Sequence, residues 1–279
     1  MKKQVYALFI LITFFATVCL SAKTPVAERG TVKGSYNFWF YEPDSASVEN
    51  PKPLVVFLHG ASLCGNNLER VRRYGTIDAI DRGLKLDAYV VAPQNNGGAW
   101  KPSKVMDIVD WAIDKHHVDS TRIYVIGMSL GGYGTLDMAA TYPDRIAAAM
   151  ALCGGASVKD LSGLNSLPLW IVHGTADRAV SVGQSDRVVS AIKAVDTEAP
   201  RLIYNRVQGM NHGRPARFFY LSDLYDWLFM HSLDDDARPI APGFDIVDKS
   251  KEAYKGLSYK KAKRKSNTPR RKARRKRRQ

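Results

Sequence analysis

Short apolar runs recur along this sequence, and stretches of helical periodicity lie between them. The runs are 54–59 (LVVFLH), 89–92 (YVVA), 123–126 (IYVI), 147–152 (AAAMAL), 169–173 (LWIVH) and 202–207 (LIYNRV). Runs of this length fit strands buried on both faces. An aromatic segment, 36–41 (YNFWFY), reads as a further strand. Between the runs, Val105, Ile108, Val109, Ala112 and Ile113 fall at helical spacing. So do Leu130, Tyr133 and Leu136, until Pro143 forbids continuation. Further helices are expected over 182–194 and 218–228. Strands alternating with helices predict an α/β fold with a mostly parallel, doubly wound sheet covered by helices. Only about 16 residues separate the run ending at 152 from the run starting at 169, so no cap domain is expected there.

The two ends read differently. Lys2 and Lys3 precede an uncharged apolar run, and Ser21-Ala22 offers small residues for cleavage. Residues 1–22 therefore read as a signal peptide, which places the mature chain outside the cell or in the periplasm. The run is too short for a membrane span. Cys19 leaves with it, so Cys64 and Cys153 remain. Spacing alone leaves open whether they pair. The chain holds 41 Lys and Arg against 27 Asp and Glu, a net charge of +14. Residues 250–279 hold 15 of those bases and one acid, Glu252, so they account for the whole excess. The expected organisation is a charge-balanced catalytic domain over 23–248 and a disordered basic tail over 249–279. Such a tail suits a polyanion or the cell envelope, and the secretion signal points away from nucleic acid.

Residues 125–134 (VIGMSLGGYG) place Ser129 between Gly127 and Gly131. Composition alone would produce Gly-x-Ser-x-Gly in roughly one chain in ten. Here, however, it falls where a buried strand ends and a helix begins, which is the setting of a nucleophile elbow. A serine hydroxyl needs a base, and the base needs an orienting carboxylate. Asp177 follows the next-but-one strand, in WIVHGTADRAV, and His212 follows the strand after it, in VQGMNHG. Each of the three lies just past a strand's C-terminal end, where doubly wound sheets build their sites. The turn His59-Gly60-Ala61 after the first run is expected to aim the Ala61 N–H into the site. The N–H of Leu130 supplies a second oxyanion donor.

These residues carry a resemblance. FLHGAS, VAPQNNGGAW, VIGMSLGGYGTLDMAATYPDRIAAAMALCGG, LWIVHGTADRAV and GMNHG, spread over about 54–228, resemble the α/β-hydrolase superfamily. Within it they are similar to the phospholipase/carboxylesterase and feruloyl-esterase-like groups. The resemblance implies a serine esterase that hydrolyses carboxylic esters through an acyl-enzyme, without metal or organic cofactor. It implies Ser129 as nucleophile, His212 as base and Asp177 as orienter, with Ala61 and Leu130 as oxyanion donors. Some relatives cleave peptides, phospholipids or thioesters with the same triad.

Other residues have weaker readings. Trp100 and Gln94 follow the 89–92 run at the active-site end and are candidate substrate contacts, with packing as the plain alternative. Tyr133 and His173 read as packing and structural residues. Arg70, Arg72 and Arg73 read as a solvated face. No Cys/His spacing suggests a metal site. An open site without a cap suits a short or aromatic acyl group on a bulky alcohol, such as an acylated polysaccharide. A protein that binds polyanions, with an incidental hydrolase domain, is the reading from another class.

Overall fold

The structure, a computed structural model, describes residues 23–258. The signal peptide expected over 1–22 and the tail beyond 258 lie outside the described residues. The strands are β1 (Val26–Glu28), β2 (Phe38–Tyr41), β3 (Lys52–Leu58), β4 (Tyr89–Pro93), β5 (Val118–Met128), β6 (Ala148–Leu152), β7 (Leu169–Gly174) and β8 (Leu202–Val207). They form one sheet in the order β1-β2-β4-β3-β5-β6-β7-β8. From β4 to β8 every pairing is parallel, and β2 and β1 add antiparallel strands at one edge. The mostly parallel sheet is as the apolar runs foretold.

The helices are α1 (Thr76–Asp81), α2 (Pro102–Lys115), α3 (Leu130–Thr141), α4 (Gly183–Val195), α5 (Ser222–Phe229) and α6 (Ile246–Glu252). Along β3, Leu54, Val56 and Leu58 join the core beneath α2, α3 and α4. Val55 and Phe57 join the opposite core, with residues of α1, α5 and α6. Side chains alternate across a strand, so one run of apolar residues serves two layers. Between β6 and β7 there is one 3-10 turn, Ser162–Asn165, and no inserted cap. No helix among the described residues is long and apolar enough to cross a membrane.

Two expectations need correction. The helix expected over 218–228 is a 3-10 segment, Arg214–Tyr220, followed by α5. The domain boundary expected at 248 cuts through α6. Asp245 caps that helix by accepting the N–H groups of Val247 and Asp248 at 2.9 and 3.0 Å. Ile246, Ser250 and Ala253 are buried, Arg217 Nε donates to Ser250 O at 3.0 Å, and Tyr254 lies 4.3 Å from the Tyr220 ring centroid. The folded part therefore runs to Ser258, whose N–H donates to Arg82 O.

Candidate active site

Ser129 is the single residue between β5 and α3. Its backbone has φ 59° and ψ −121°, a conformation that costs a side-chain-bearing residue on the order of 1–3 kcal/mol. The strain is held by the N–H of Ser129, which donates to Leu152 O at 2.8 Å, and by its C=O, which accepts the N–H of Tyr133 at 3.0 Å. The flanking glycines are required by proximity. A Cβ on Gly127 would meet Gly131 O at 2.3 Å, and a Cβ on Gly131 would meet Leu58 O at 1.8 Å. The helix starts directly at the serine, so its unpaired N–H groups face that residue.

Asp177 lies on the loop after β7, and its side chain has no exposed surface. One oxygen accepts the N–H groups of Ala179 and Val180, each at 2.9 Å. The other accepts Nδ1–H of His212 at 2.6 Å. Burial works to raise the carboxyl's pKa. The bonds from Val180, His212 and Ala179 outweigh it and hold the group below the ordinary carboxylate range. With Nδ1 engaged by Asp177, Nε2 is left as the basic atom of His212. His212 and Ser129 border one cavity of about 620 Å³.

Ala61 and Leu130 border the same cavity. Ala61 opens a 3-10 turn, Ala61–Leu63, and Leu130 opens α3, so neither N–H has an acceptor within its own helix. The Ala61 N–H belongs to the same peptide unit as Gly60 C=O. That carbonyl accepts the N–H of Leu63 at 3.1 Å and Nδ1–H of His59 at 2.8 Å. Because the peptide is trans, fixing the oxygen on one side aims the N–H to the other. The tautomer is set by Asn95, whose N–H donates to His59 Nε2 at 3.0 Å. Tyr74 completes the clamp, its hydroxyl accepting the N–H of Gly60 at 2.9 Å.

His59 is fully buried and neutral. Burial pushes its pKa down to about 4, opposed by the bond to Gly60 and helped by the nearby Arg70 charge. Between 6.5 and about 4 the unfolded chain binds a proton that the folded chain refuses. The stability from this site is therefore full above pH 6.5 and is lost as pH falls toward 4, on the order of 3 kcal/mol. Burial lowers His173, His231 and His116 in the same direction. His59→Gln should thus flatten, not abolish, the dependence of urea stability on pH across this window. It should also lower kcat about 10- to 100-fold by loosening the Ala61 N–H. An unchanged pH slope would show that His59 is not the buried neutral group described here.

Two candidate substrate contacts are not at the cavity. Trp100 is buried, donates Nε1–H to His59 O at 3.3 Å, and meets the His59 ring edge-on at 5.0 Å. It is packing beneath the turn that carries Ala61. Gln94 is also buried, and its Nε2 donates to Leu63 O at 2.6 Å, so it supports the same turn from below. The walls come instead from Tyr133, read from the sequence as a packing residue, and from Tyr74, Ala179, Val180 and Ala216, which had no assigned role. Tyr133 had a signal, since it stands one helical turn after Ser129 on the same face. Tyr74 had none, because its place depends on a distant loop closing over β3. Cys64 and Cys153 are separate thiols. Cys153, Asp177 and His212 present donor atoms within 4.8 Å of one another. Burial pushes the Cys153 thiol up to about 12, and Nδ1 of His212 is engaged by Asp177, so the set suits proton transfer better than a cation.

The comparisons agree with this architecture. The family model for the prolyl oligopeptidase family matches residues 87–162. A poly(3-hydroxyalkanoate) depolymerase C of Paucimonas lemoignei is 30% identical over 152 residues, covering 48% of this chain and 35% of the relative. A feruloyl esterase B of Thermothelomyces thermophilus is 29% identical over 162 residues, covering 52% of this chain and 54% of the relative. Among solved structures, a thermostable esterase superposes with a TM-score of 0.61 at 24% identity, over 76% of this chain and 63% of that one. The chain spans about half or less of the length of the curated relatives it matches. Sheet order, elbow and structural likeness together give this chain the α/β-hydrolase fold. The named relatives are esterases and a poly(3-hydroxyalkanoate) depolymerase.

Proposed function

We propose that this chain is a secreted or periplasmic serine esterase that cleaves carboxylic esters, acetyl or hydroxycinnamoyl, carried by a polysaccharide. The observation that supports this most is the 2.6 Å bond from His212 to a buried Asp177, on a cavity shared with the strained Ser129. Ser129 Oγ attacks the ester carbonyl while His212 Nε2 takes its proton. The N–H groups of Ala61 and Leu130 receive the charge that develops on the carbonyl oxygen. His212 then protonates the leaving alcohol, an acyl-enzyme remains, and water repeats the sequence to release the acid. Asp177 holds the imidazole tautomer throughout and stabilises the imidazolium.

The wall formed by Tyr133 supports a flat or short acyl group, because an aromatic ring buries large area at little conformational cost. Tyr133→Ala should raise KM for methyl ferulate about fivefold to tenfold and leave p-nitrophenyl acetate nearly unchanged. Equal effects on both esters would remove Tyr133 as an acyl contact. The family match favours a second reading, a serine peptidase with the same triad. Parallel turnover of p-nitrophenyl acetate, methyl ferulate and a peptide anilide decides between them: faster cleavage of the anilide would replace the esterase reading.

The basic segment beyond Ser258 fits a tether to anionic polymer or the cell envelope, which raises the local concentration of a polymeric substrate. Truncation after Ser258 leaves α6 intact. It should preserve turnover of small esters and abolish salt-sensitive retention on pectin or heparin. Equal retention of both forms at low salt would end this assignment.

A further inference from the structure

A second cavity has a volume of about 320 Å³. Its lining includes Tyr36, Asn37, Asn95, Asn96, Lys101 and Lys104, and no acidic residue. One imidazole links the two spaces. His59 Nδ1–H reaches Gly60 O in the wall of the catalytic cavity, and His59 Nε2 accepts from Asn95 N in the wall of the second. Asn95 and Gly60 follow β4 and β3, which are parallel neighbours, so both cavities belong to the C-terminal end of the sheet.

We infer that this second cavity is a subsite for an anionic sugar, a glycuronate residue of the polymer that carries the ester. Its free groups include several donors. Asn37 Oδ1 is used by the N–H of Gly30, so its NH2 remains. Both ends of the Asn95 amide are taken by its own loop, to Gly97 N and Gly98 O, so Asn95 shapes the wall and Asn96 is left to bind. Among the described residues, neither Lys101 nor Lys104 has a carboxylate within ion-pair distance. Lys104 Nζ stands 5.6 Å from the Tyr36 ring centroid. Both lysines lie at the start of α2, whose first turn holds no acid. Both are exposed, and the positive end of the helix beside them complements an anion. A carboxylate satisfies the ammonium groups, and sugar hydroxyls satisfy the amides. In an acylated polysaccharide the sugar is the alcohol component, so this subsite would hold the alcohol side of the ester. That last step rests on the esterase reading. The binding itself does not.

The test uses the full chain and two probes, xylotetraose and a xylo-oligosaccharide of similar length bearing one glucuronate, with binding measured by calorimetry. The wild type should bind the acidic probe at least tenfold more tightly. Lys101→Met with Lys104→Met keeps the aliphatic stems and the basic tail, and should abolish that preference. Turnover of p-nitrophenyl acetate should stay within twofold of wild type, while KM for an acetylated acidic oligosaccharide rises about tenfold. Equal binding of both probes by the wild type would overturn the inference. So would an unchanged preference in the double variant, or its loss on truncation after Ser258 instead. Inorganic phosphate binding as tightly as the acidic probe would overturn the sugar assignment. If no ester is turned over while the acidic preference depends on the two lysines, the esterase reading fails and the subsite stands.

Discussion

Ester turnover by Ser129→Ala should fall by about four to six orders of magnitude, with the far-UV spectrum and melting temperature close to wild type. The nucleophile is removed, while the oxyanion donors and the cavity remain to give a small residual rate. His212→Ala should lose about as much, and the double variant little more, because serine and imidazole act as one unit. Asp177→Asn should lose about 10⁴-fold in kcat, since an amide can donate to Nδ1 and hold the wrong tautomer. A further variant separates chemistry from strain. Ser129→Gly is equally inactive, yet it removes a side chain from a residue at φ 59°. It should therefore unfold at a temperature roughly 2–4 °C higher than Ser129→Ala, for about 1 kcal/mol of relieved strain. Near wild-type activity in Ser129→Ala on every ester would dismiss the triad as the catalytic group. A lower melting point in Ser129→Gly would show that the elbow is not strained.

The parts of this site readable in the sequence share one property: each is tied to the end of a parallel strand, buried for β5 and β7 and half-exposed for the edge strand β8, where the sequence predicts burial on both faces. Ser129, Asp177 and His212 follow β5, β7 and β8, and apolar runs announce strand ends clearly. Trp100 and Gln94 also follow a strand, so position alone could not separate them from the others. What separates them is direction. The N–H of Gln94 donates to Asn37 O, and its side chain turns inward to Leu63 O. Trp100 folds over His59 and sits against α3 where Gly134 leaves room, a Cβ there meeting the indole at 2.6 Å. Sequence spacing carries no information about such turns. Helix α6 was hidden for a different reason. Its buried residues are few and small, and its charges, Lys249 paired with Asp223 and Lys251 with Asp248, merge by composition into the basic tail. Contacts with the 3-10 segment, from Arg217 to Ser250, and with α5, from Asp223 to Lys249, make the helix part of the domain.

Gly131→Ala should abolish folding at ordinary temperature, a loss of more than about 4 kcal/mol from a single methyl group. The added Cβ falls 1.8 Å from Leu58 O and 2.5 Å from Leu58 C, both backbone atoms of β3 in mid-sheet. No rotamer change relieves such a contact. Either α3 lifts from the sheet or β3 shifts, and each movement breaks packed structure on both sides. The same close approach recurs at Gly132, where a Cβ would meet Leu152 O at 2.5 Å, and at Gly154, where it would meet Gly132 C at 2.5 Å. The helix that presents Ser129 thus lies so near the strands that several successive contacts exclude any side chain. Gly183→Ala is the control. It lies at the start of α4 without a positive φ, and the nearest atom to its Cβ is Ser181 Oγ at 3.4 Å. There alanine should be neutral or stabilise by up to about 1 kcal/mol, through higher helix propensity and a less free unfolded chain. Soluble, active Gly131→Ala protein with a wild-type urea midpoint would mean that the helix stands further from β3 than described. In that case Leu130 N–H would also be too far from the site to serve the oxyanion.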